Sequence, residues 1–237
     1  MLPVAYLLYA SLAGRDGVSQ YEKILLDSKE FYTWFWNSAC YTALILLIHI
    51  PVSILAAYGL SQFRFPGRNV LFFLYMLLML LPFQATSVPQ YLTLDALDIL
   101  DTGKAVILPC AYGAFGTFLL RQSYMGLPKD LEEAARLDGC NIGQTFLFIM
   151  APLTRSSMVA LGIFTAVFAY KDLMWPLICN KDVMPLSAAL AKMQGQYTNN
   201  YPQLMAASLL ACIPMIVLYL IFQKQFIEGI ATSGGKL

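Results

Sequence analysis

Long runs without a charged residue divide this chain into segments. Four runs contain no Asp, Glu, Lys or Arg: Phe31–Phe63, Asn69–Leu94, Ala105–Leu120 and Met193–Gln223. A fifth run, Ser156–Tyr170, continues after Lys171–Asp172 as far as Asn180. A helix needs about 20 mainly apolar residues to cross roughly 30 Å of hydrocarbon. The pattern therefore predicts membrane-spanning helices at residues 36–60, 70–92, 105–124, 156–178 and 204–223.

The same pattern argues against membrane-spanning strands. A lipid-facing β-barrel strand alternates in polarity over about ten residues, whereas Val70–Leu81 is apolar at both odd and even positions. We therefore predict an all-α integral membrane protein that forms one transmembrane domain over residues 1–237. Met1–Leu12 is apolar but too short to span, and it lacks the basic start and cleavage site of a signal peptide. We interpret residues 1–12 as the outer part of a first helix whose beginning is absent from this chain.

Composition supports a membrane protein and excludes several other classes. Apolar residues make up 59% of the 237 residues and charged residues 12%, against roughly 45–50% and about 25% in soluble proteins. The formal net charge of +1 gives no sign of nucleic-acid binding. The five cysteines are scattered without a CxxC pair and His49 stands alone, so we expect neither a disulfide scaffold nor a metal site.

Four prolines fall inside or beside the predicted spans: Pro51, Pro82, Pro89 and Pro214. Proline removes a backbone donor and clashes with the preceding helical turn. In a membrane this is tolerated where neighbouring helices or a water-filled cavity satisfy the freed groups. Kinks around a transport pathway and ordinary packing irregularities are equally compatible with this pattern.

The orientation of the chain rests on the charges in its short loops. The turn at residues 61–69 carries Arg64 and Arg68 and no acid, whereas the opposite loop has three aspartates and one lysine at Asp95, Asp98, Asp101 and Lys104. Positive charge favours the cytoplasmic side. We therefore place loops 61–69 and 125–155 and the carboxyl terminus in the cytoplasm, and loop 179–203 outside.

The loop at residues 125–155 has the sequence signals of two short helices. The first begins near Pro128, with acids in its first turn and Arg136 in its last, which suits the helix dipole. Asp138-Gly139 ends it, because glycine adopts left-handed backbone angles at low cost. Asn141 and Gln144 have the spacing of a capping box for the second.

Two uses of this pair of helices are possible. Helices that lie on a membrane surface are usually rich in Lys and Arg on their polar face, whereas this pair is mainly acidic. We therefore favour a compact knob that docks to another protein, in which small alanines let a partner backbone approach closely.

The knob also carries a family resemblance. Glu133-Ala134-Ala135, then Gly139, Ile149 and Pro152 at the matching spacing, resemble the EAA motif of ABC importer permeases, with Cys140 and Ala151 as departures. Further stretches are similar to the carbohydrate-uptake subfamily and its maltose-system G-like permease: Pro82-Phe83-Gln84, Phe118–Gln122, Trp175-Pro176-Leu177 and Phe226–Lys236. The resemblance implies the six-helix type I importer fold, with both termini cytoplasmic and the first helix incomplete here.

The resemblance also implies partners in a bacterial inner membrane. These are a second permease subunit, a cytoplasmic ATPase dimer, an extracytoplasmic solute-binding protein and a sugar substrate, with lipid around the spans. ATP and Mg²⁺ would be bound by the ATPase, so this chain would carry no cofactor and no catalytic residue. The residues implied in coupling to the ATPase are Glu133, Ala134, Ala135, Asp138, Gly139, Ile149 and Pro152.

Two further segments are implied to contact partners. In similar permeases the carboxyl-terminal tail, here Gly234, Gly235 and Lys236, reaches between the ATPase subunits, although from the residues alone it reads as a frayed end. A polar external loop is implied to dip into the solute-binding protein, although a solvated turn is the simpler alternative. That loop consists of Gln194, Gly195, Gln196, Tyr197, Thr198, Asn199 and Asn200.

Candidates for the transport pathway are Pro82, Gln84 and Asp172. Charges inside a membrane are costly and often functional, but Lys171-Asp172 lies near the outer end of its helix, so an interfacial anchor is the stronger interpretation. A secondary transporter driven by an ion gradient is the alternative class; it predicts acids in mid-span and inverted repeats, and we find neither. A membrane enzyme lacks support because the spans hold no converging His, acid and Cys clusters.

Overall fold

Every regular element in the described part of the chain is helical. The computed structural model describes residues 2–12, 17–128, 130–196 and 201–234. In chain order the helices are α1 (Leu2–Leu12), α2 (Ser19–Glu22), α3 (Lys29–Gln62), α4 (Arg68–Leu77), α5 (Phe83–Ala96), α6 (Gly103–Cys110), α7 (Ala114–Met125), α8 (Asp130–Leu137), α9 (Ile142–Gln144), α10 (Ala151–Leu153), α11 (Arg155–Lys171), α12 (Met174–Cys179), α13 (Leu186–Gln196) and α14 (Tyr201–Gly234). Two π-helical stretches, Lys23–Asp27 and Thr145–Met150, and one 3₁₀ turn, Leu78–Leu80, continue α2, α9 and α4.

Three stretches are helical, long and apolar enough to cross a membrane: Lys29–Gln62, Gly103–Met125 and Tyr201–Gln223. Two bent helix pairs within the described residues bring the number to five if each pair is one span. These stretches overlap the five spans that the charge-free runs predict. The number of spans in the whole chain stays a prediction.

Two of the predicted spans are interrupted helices. The span expected at 70–92 breaks at Leu81–Pro82, and the helices on either side are bent by 102°. The span expected at 156–178 ends at Lys171, and α12 begins separately at Met174. Pro51, Pro89 and Pro214 lie inside helices that continue through them.

The chain divides into two compact units, whose boundaries fall inside helices. The first comprises residues 1–44, 91–107 and 167–221. Its core holds Trp175, whose indole N–H donates to the Ala105 carbonyl at 2.9 Å. Polar side chains of α3 hold the segment that follows α12: the Tyr41 hydroxyl donates to the Val183 carbonyl at 2.8 Å, and the Asn37 amide donates to the Met184 carbonyl at 3.0 Å.

The second unit comprises residues 45–90, 108–166 and 222–237. Its core is a cluster of aromatic and aliphatic side chains from α3, α7, α11 and the π-helical stretch: Ala57, Tyr58, Leu120, Tyr124, Met150 and Leu161. This unit contains α8 to α10, and Phe146, between α9 and α10, packs against the cluster.

Candidate functional site

The first helix of the knob (α8 to α10 with their connections) has the end that the sequence predicts. Gly139 has φ +84°, the left-handed conformation that glycine adopts without strain. The Cys140 amide donates to the Ala135 carbonyl at 2.9 Å and the Gly139 amide donates to the Arg136 carbonyl at 3.1 Å. This pair of bonds is a Schellman motif, so it satisfies two carbonyls that a helix end leaves free. The expected stop at Asp138-Gly139 is confirmed.

The second helix begins with the expected capping box. The Asn141 side-chain oxygen accepts from the Gln144 amide, and the Gln144 side-chain oxygen accepts from the Asn141 amide, both at 2.9 Å. The helix then widens into the π-helical Thr145–Met150 before α10. Because both sides of the corner are closed by hydrogen bonds, the two helices form a defined turn.

Three acidic residues of the knob lie at the amino-terminal end of α8. Asp130, Glu132 and Glu133 lie in its first turn, where the helix dipole favours negative charge. Glu132 and Arg136 form an ion pair at 2.7 Å, four residues apart on one face. Glu133 is exposed, and no described residue forms a salt bridge with it.

The exposed surface of the knob combines acids with apolar side chains. Glu133, Ala134, Asp138, Gly139 and Pro152 are all exposed, whereas Ile149 is half-buried. The sequence pattern did not predict the apolar part of this surface, which consists of Leu137 (89% exposed), Phe148 (74%), Leu147 (60%) and Ile142 (56%). The signal for it was present, because these residues flank the EAA-like positions.

Ala135 differs from the expectation that both alanines meet a partner. Its exposed fraction is 3%, so its methyl group packs inside the chain. Consecutive residues lie about 100° apart around an α-helix, and here the turn from Ala134 to Ala135 carries the second alanine from the exposed face to the inner face. Ala134 alone has a surface position from which it can contact another protein.

An aromatic cluster that the sequence pattern did not predict joins the knob to α3 and α7, and it is formed by Tyr58, Tyr124 and Phe146. The ring of Phe146, in the second helix, lies 4.8 Å from that of Tyr58 on α3. Tyr58 also packs edge-on against Tyr124 of α7 at 5.7 Å. The same tyrosine lies within electrostatic range of Glu132 and Arg136 on α8. Tyr58 of α3 therefore contacts the second helix of the knob and lies near the charged side chains of the first.

The other predicted contact segments lie largely outside the described residues. Gly234 is the last residue of α14, and Gly235 and Lys236 are not among the described residues. Gln194, Gly195 and Gln196 form the end of α13, and Gln194 is exposed. Tyr197, Thr198, Asn199 and Asn200 are not among the described residues.

The candidate pathway residues have local structural roles. Pro82 is exposed at the break before α5, and Gln84 is exposed in the first turn of that helix. Asp172 is half-buried, and its carboxylate accepts hydrogen bonds from the backbone amides that begin α12. This capping role accounts for the position of Asp172 without a pathway, and the pathway role stays a prediction. Lys171 places its ammonium 4.4 Å from the ring of Phe168.

Comparison with known proteins gives the family to which this fold and knob belong. Residues 49–231 match the family described as binding-protein-dependent transport system inner membrane component. The chain belongs to this family. It is a permease subunit of a bacterial ABC importer in the inner membrane, and such permease components are not themselves catalytic. The family excludes the alternative of an ion-driven secondary transporter.

Curated relatives are similar over most of their length. The arabinooligosaccharides transport system permease protein AraQ of Halalkalibacterium halodurans is 33% identical over 215 residues, which are 90% of this chain and 77% of the relative. The sn-glycerol-3-phosphate transport system permease protein UgpE of Shigella flexneri is 34% identical over 212 residues, 87% of this chain and 75% of the relative.

Solved structures agree with the helical architecture. A chain of a bacterial ABC transporter involved in the import of the acidic polysaccharide alginate superposes with a TM-score of 0.80 at 26% identity, covering 94% of this chain and 90% of that one. A chain of a bacterial alginate ABC transporter in complex with an alginate pentasaccharide-bound periplasmic protein superposes with a TM-score of 0.72 at 16% identity, and covers 92% and 85%. The second likeness supports the fold alone.

Proposed function

We propose that this chain forms half of the translocation pathway of an importer for a sugar or oligosaccharide, and that it is driven by a cytoplasmic ATPase through the knob. The observation that carries the coupling role is the construction of the knob, which has a Schellman motif on one side of its corner and a capping box on the other. A pair of helices whose corner is fixed by hydrogen bonds on both sides can transmit a rigid-body displacement. A flexible loop would absorb the same displacement.

The surface of the knob supports docking to a protein. The knob exposes apolar side chains as well as Glu133 and Ala134, and Leu137 and Phe148 are the most exposed of them. Clustered apolar surface of this kind marks interaction sites in folded proteins. An apolar cleft with a basic residue opposite Glu133 would complement it. We assign that cleft to the ATPase, and the carboxyl-terminal tail with Gly234, Gly235 and Lys236 is proposed to reach the same subunits.

The remaining partners follow from membership of a binding-protein-dependent importer family. A second permease would complete the pathway, and a solute-binding protein would deliver the substrate to the external loop at residues 194–200. ATP and Mg²⁺ would be bound by the ATPase dimer, and no cofactor is proposed for this chain. The candidate pathway residues Pro82, Gln84 and Asp172 remain part of this proposal.

The named systems of the relatives support carbohydrates and related compounds as the substrate class. They concern arabinooligosaccharides, sn-glycerol 3-phosphate and alginate. These compounds share many hydroxyl groups but differ in charge and length. We therefore propose a polyhydroxylated substrate, with a sugar or oligosaccharide as the first to test.

Two variants of the knob test the coupling role. Glu133→Lys reverses the exposed charge, and Gly139→Pro imposes φ near −65° where φ +84° is needed and removes the amide that donates to Arg136. Both are expected to lower substrate-stimulated ATP hydrolysis by at least about tenfold in the reconstituted complex, the loss that follows from removing a strong interface contact. Membrane insertion should be retained.

The matched control is Asp182→Lys, the same kind of charge reversal at an exposed acid in the loop between α12 and α13. It should leave stimulated hydrolysis near the wild-type rate. Wild-type stimulation in both knob variants would refute the coupling role. Equal loss in the control would show that the effect is one of overall charge.

A further inference from the structure

The turn between α3 and α4 carries positive charge that no nearby acid in the sequence balances. Between Glu30 and Asp95 the chain contains no acidic residue, and its only Lys or Arg residues are Arg64 and Arg68. Arg64 is exposed and Arg68 is half-exposed. The turn is therefore locally cationic.

A third arginine adds to this charge from α7. Arg121 is only 7% exposed, and its guanidinium lies 3.9 Å from the ring centre of Phe72 on α4. Arg68 is close enough to Arg121 for the two positive charges to repel each other. Among the described residues, no acid forms a salt bridge with Arg121. A largely buried cation without an acidic partner is costly, so a nearby anion would be favourable.

Hydrogen bonds to carbonyls at a helix end account for only part of the positive charge of these arginines. Arg68 donates from Nη1 to the Ser61 and Phe63 carbonyls, at 3.1 and 3.2 Å, and Arg121 donates from Nε to the Leu60 carbonyl at 3.2 Å. These carbonyls lie in the last turn of α3 or directly after it. A helix end carries about half a negative charge, much less than three guanidinium groups. Arg64 takes no part in this capping.

The turn also borders an open surface cleft. Residues 64–70 line an open cleft of about 490 Å³. Gly67 precedes α4 and offers no side chain to cap its first amides. The cleft is therefore lined by two arginines and by backbone donors, a combination that suits a phosphate group.

The location of the cleft favours a lipid over a soluble anion. Only residues 63–67 separate α3 from α4, so the turn lies where two apolar helices leave the membrane. No residue of α4 is buried, and Val70, Leu71, Phe73 and Leu74 are all more than half exposed. A ligand with a phosphate in the cleft would have apolar surface directly beside it.

We propose that this turn binds the phosphate of an anionic phospholipid, with Arg64 and Arg68 as its ligands and the acyl chains along α4. Basic clefts at the membrane boundary are attracted to anionic headgroups. Arginine is well suited to this task because its fork of donors matches a phosphate in two-point contact. Arg121 contributes long-range positive charge from beneath the turn.

Native mass spectrometry of the full chain with its co-purifying subunits tests this proposal. The protein in mild detergent is titrated with phosphatidylglycerol or, separately, with phosphatidylcholine. A tightly retained phosphatidylglycerol adduct is expected, with weaker retention of phosphatidylcholine. Arg64→Gln should raise the half-saturating concentration of phosphatidylglycerol about fivefold, the effect of one basic residue at a membrane surface, and Arg64→Gln with Arg68→Gln should raise it further.

Lys181→Gln is the matched control, because it removes one exposed cation from a loop elsewhere in the chain. Arg64→Gln is the decisive variant, since Arg68 also caps α3 and its loss could disturb the turn. Unchanged phosphatidylglycerol retention in Arg64→Gln, equal retention of phosphatidylcholine, or an equal loss in Lys181→Gln would overturn the proposal. Displacement of the lipid by millimolar inorganic phosphate would reassign the cleft to free anions, and loss of a subunit in place of the lipid would reassign it to a protein partner.

Discussion

At the scale of single residues, two glycines of the second unit allow α3 and α7 to approach closely. A Cβ atom added at Gly116 would lie 2.5 Å from the Ser53 hydroxyl oxygen and 2.8 Å from His49 Nε2, and one at Gly113 would lie 2.7 Å from His49 Cε1. His49 and Ser53 are 6% and 1% exposed. The single histidine of this chain therefore has a packing environment that only a residue without a side chain at position 116 permits.

Gly116→Ala is expected to destabilise the protein by about 1–3 kcal/mol, the cost of forcing an extra methyl group into a packed core. Gly59→Ala is the matched control, since a Cβ atom at Gly59 meets nothing within 4 Å. It should be neutral or stabilise α3 by about 0.5–1 kcal/mol, because alanine favours a helix over glycine. Thermal unfolding in detergent measures both; an equal effect of the two variants would contradict the packing argument.

At the scale of helices, one proline coincides with a helix break and another does not. Leu81, before Pro82, has extended angles of φ −73° and ψ 124°, the conformation that a following proline favours. The residue before Pro51 stays helical, and α3 continues to Gln62. The bent pair α4 and α5 results, whereas α3 runs unbroken for 34 residues.

The corner of the knob gives a prediction at this scale. Gly139 has open space around it, so a side chain fits there, but φ +84° strains most residues. Gly139→Asn should keep the corner, because asparagine tolerates left-handed angles, whereas Gly139→Ala should cost about 1–2 kcal/mol. Hydrogen–deuterium exchange over residues 130–150 should rise in the alanine variant and stay near wild type in the asparagine variant. Matching exchange in both would show that conformation at Gly139 does not stabilise the knob.

Much of the knob could be predicted from its sequence, whereas the aromatic cluster that joins it to α3 and α7 could not. Capping signals act between residues three to five apart, so Asn141, Gln144 and Gly139 reveal their hydrogen bonds in the sequence itself. The contact between Tyr58 and Phe146 joins residues far apart in the chain, and nothing in the local pattern distinguishes these rings from other apolar positions. The inward position of Ala135 likewise depends on what lies beneath α8.

At the scale of the whole molecule, the proposed importer requires contacts on both sides of the membrane. The knob and the lipid-binding turn both belong to the second unit, whereas α13, which leads into the proposed binding-protein loop, belongs to the first. The external contact can therefore be removed by changes in residues that share no unit with the knob.

Deleting residues 196–200 is expected to slow sugar uptake about tenfold while basal ATP hydrolysis persists, because the proposed contact with the solute-binding protein is lost. Uptake and hydrolysis are measured on the same reconstituted complex. Replacing the five residues by a glycine–serine linker of equal length controls for the span of the loop. Unaltered uptake in the deletion, or full activity of the linker variant, would refute a role for these side chains.

The sequence by itself determined the helical class, the apolar stretches that overlap the long helices, the capped corner of the knob and the family. These properties depend on hydrophobic length and on bonds between near neighbours, and both can be read along one segment. Only the tertiary structure decided that the helices on either side of Leu81–Pro82 are bent by 102°, that Ala135 is buried, and that Arg121 packs against Phe72 near the cationic turn. Those features depend on which distant segments pack together, and the sequence does not show which distant residue a given apolar side chain will contact.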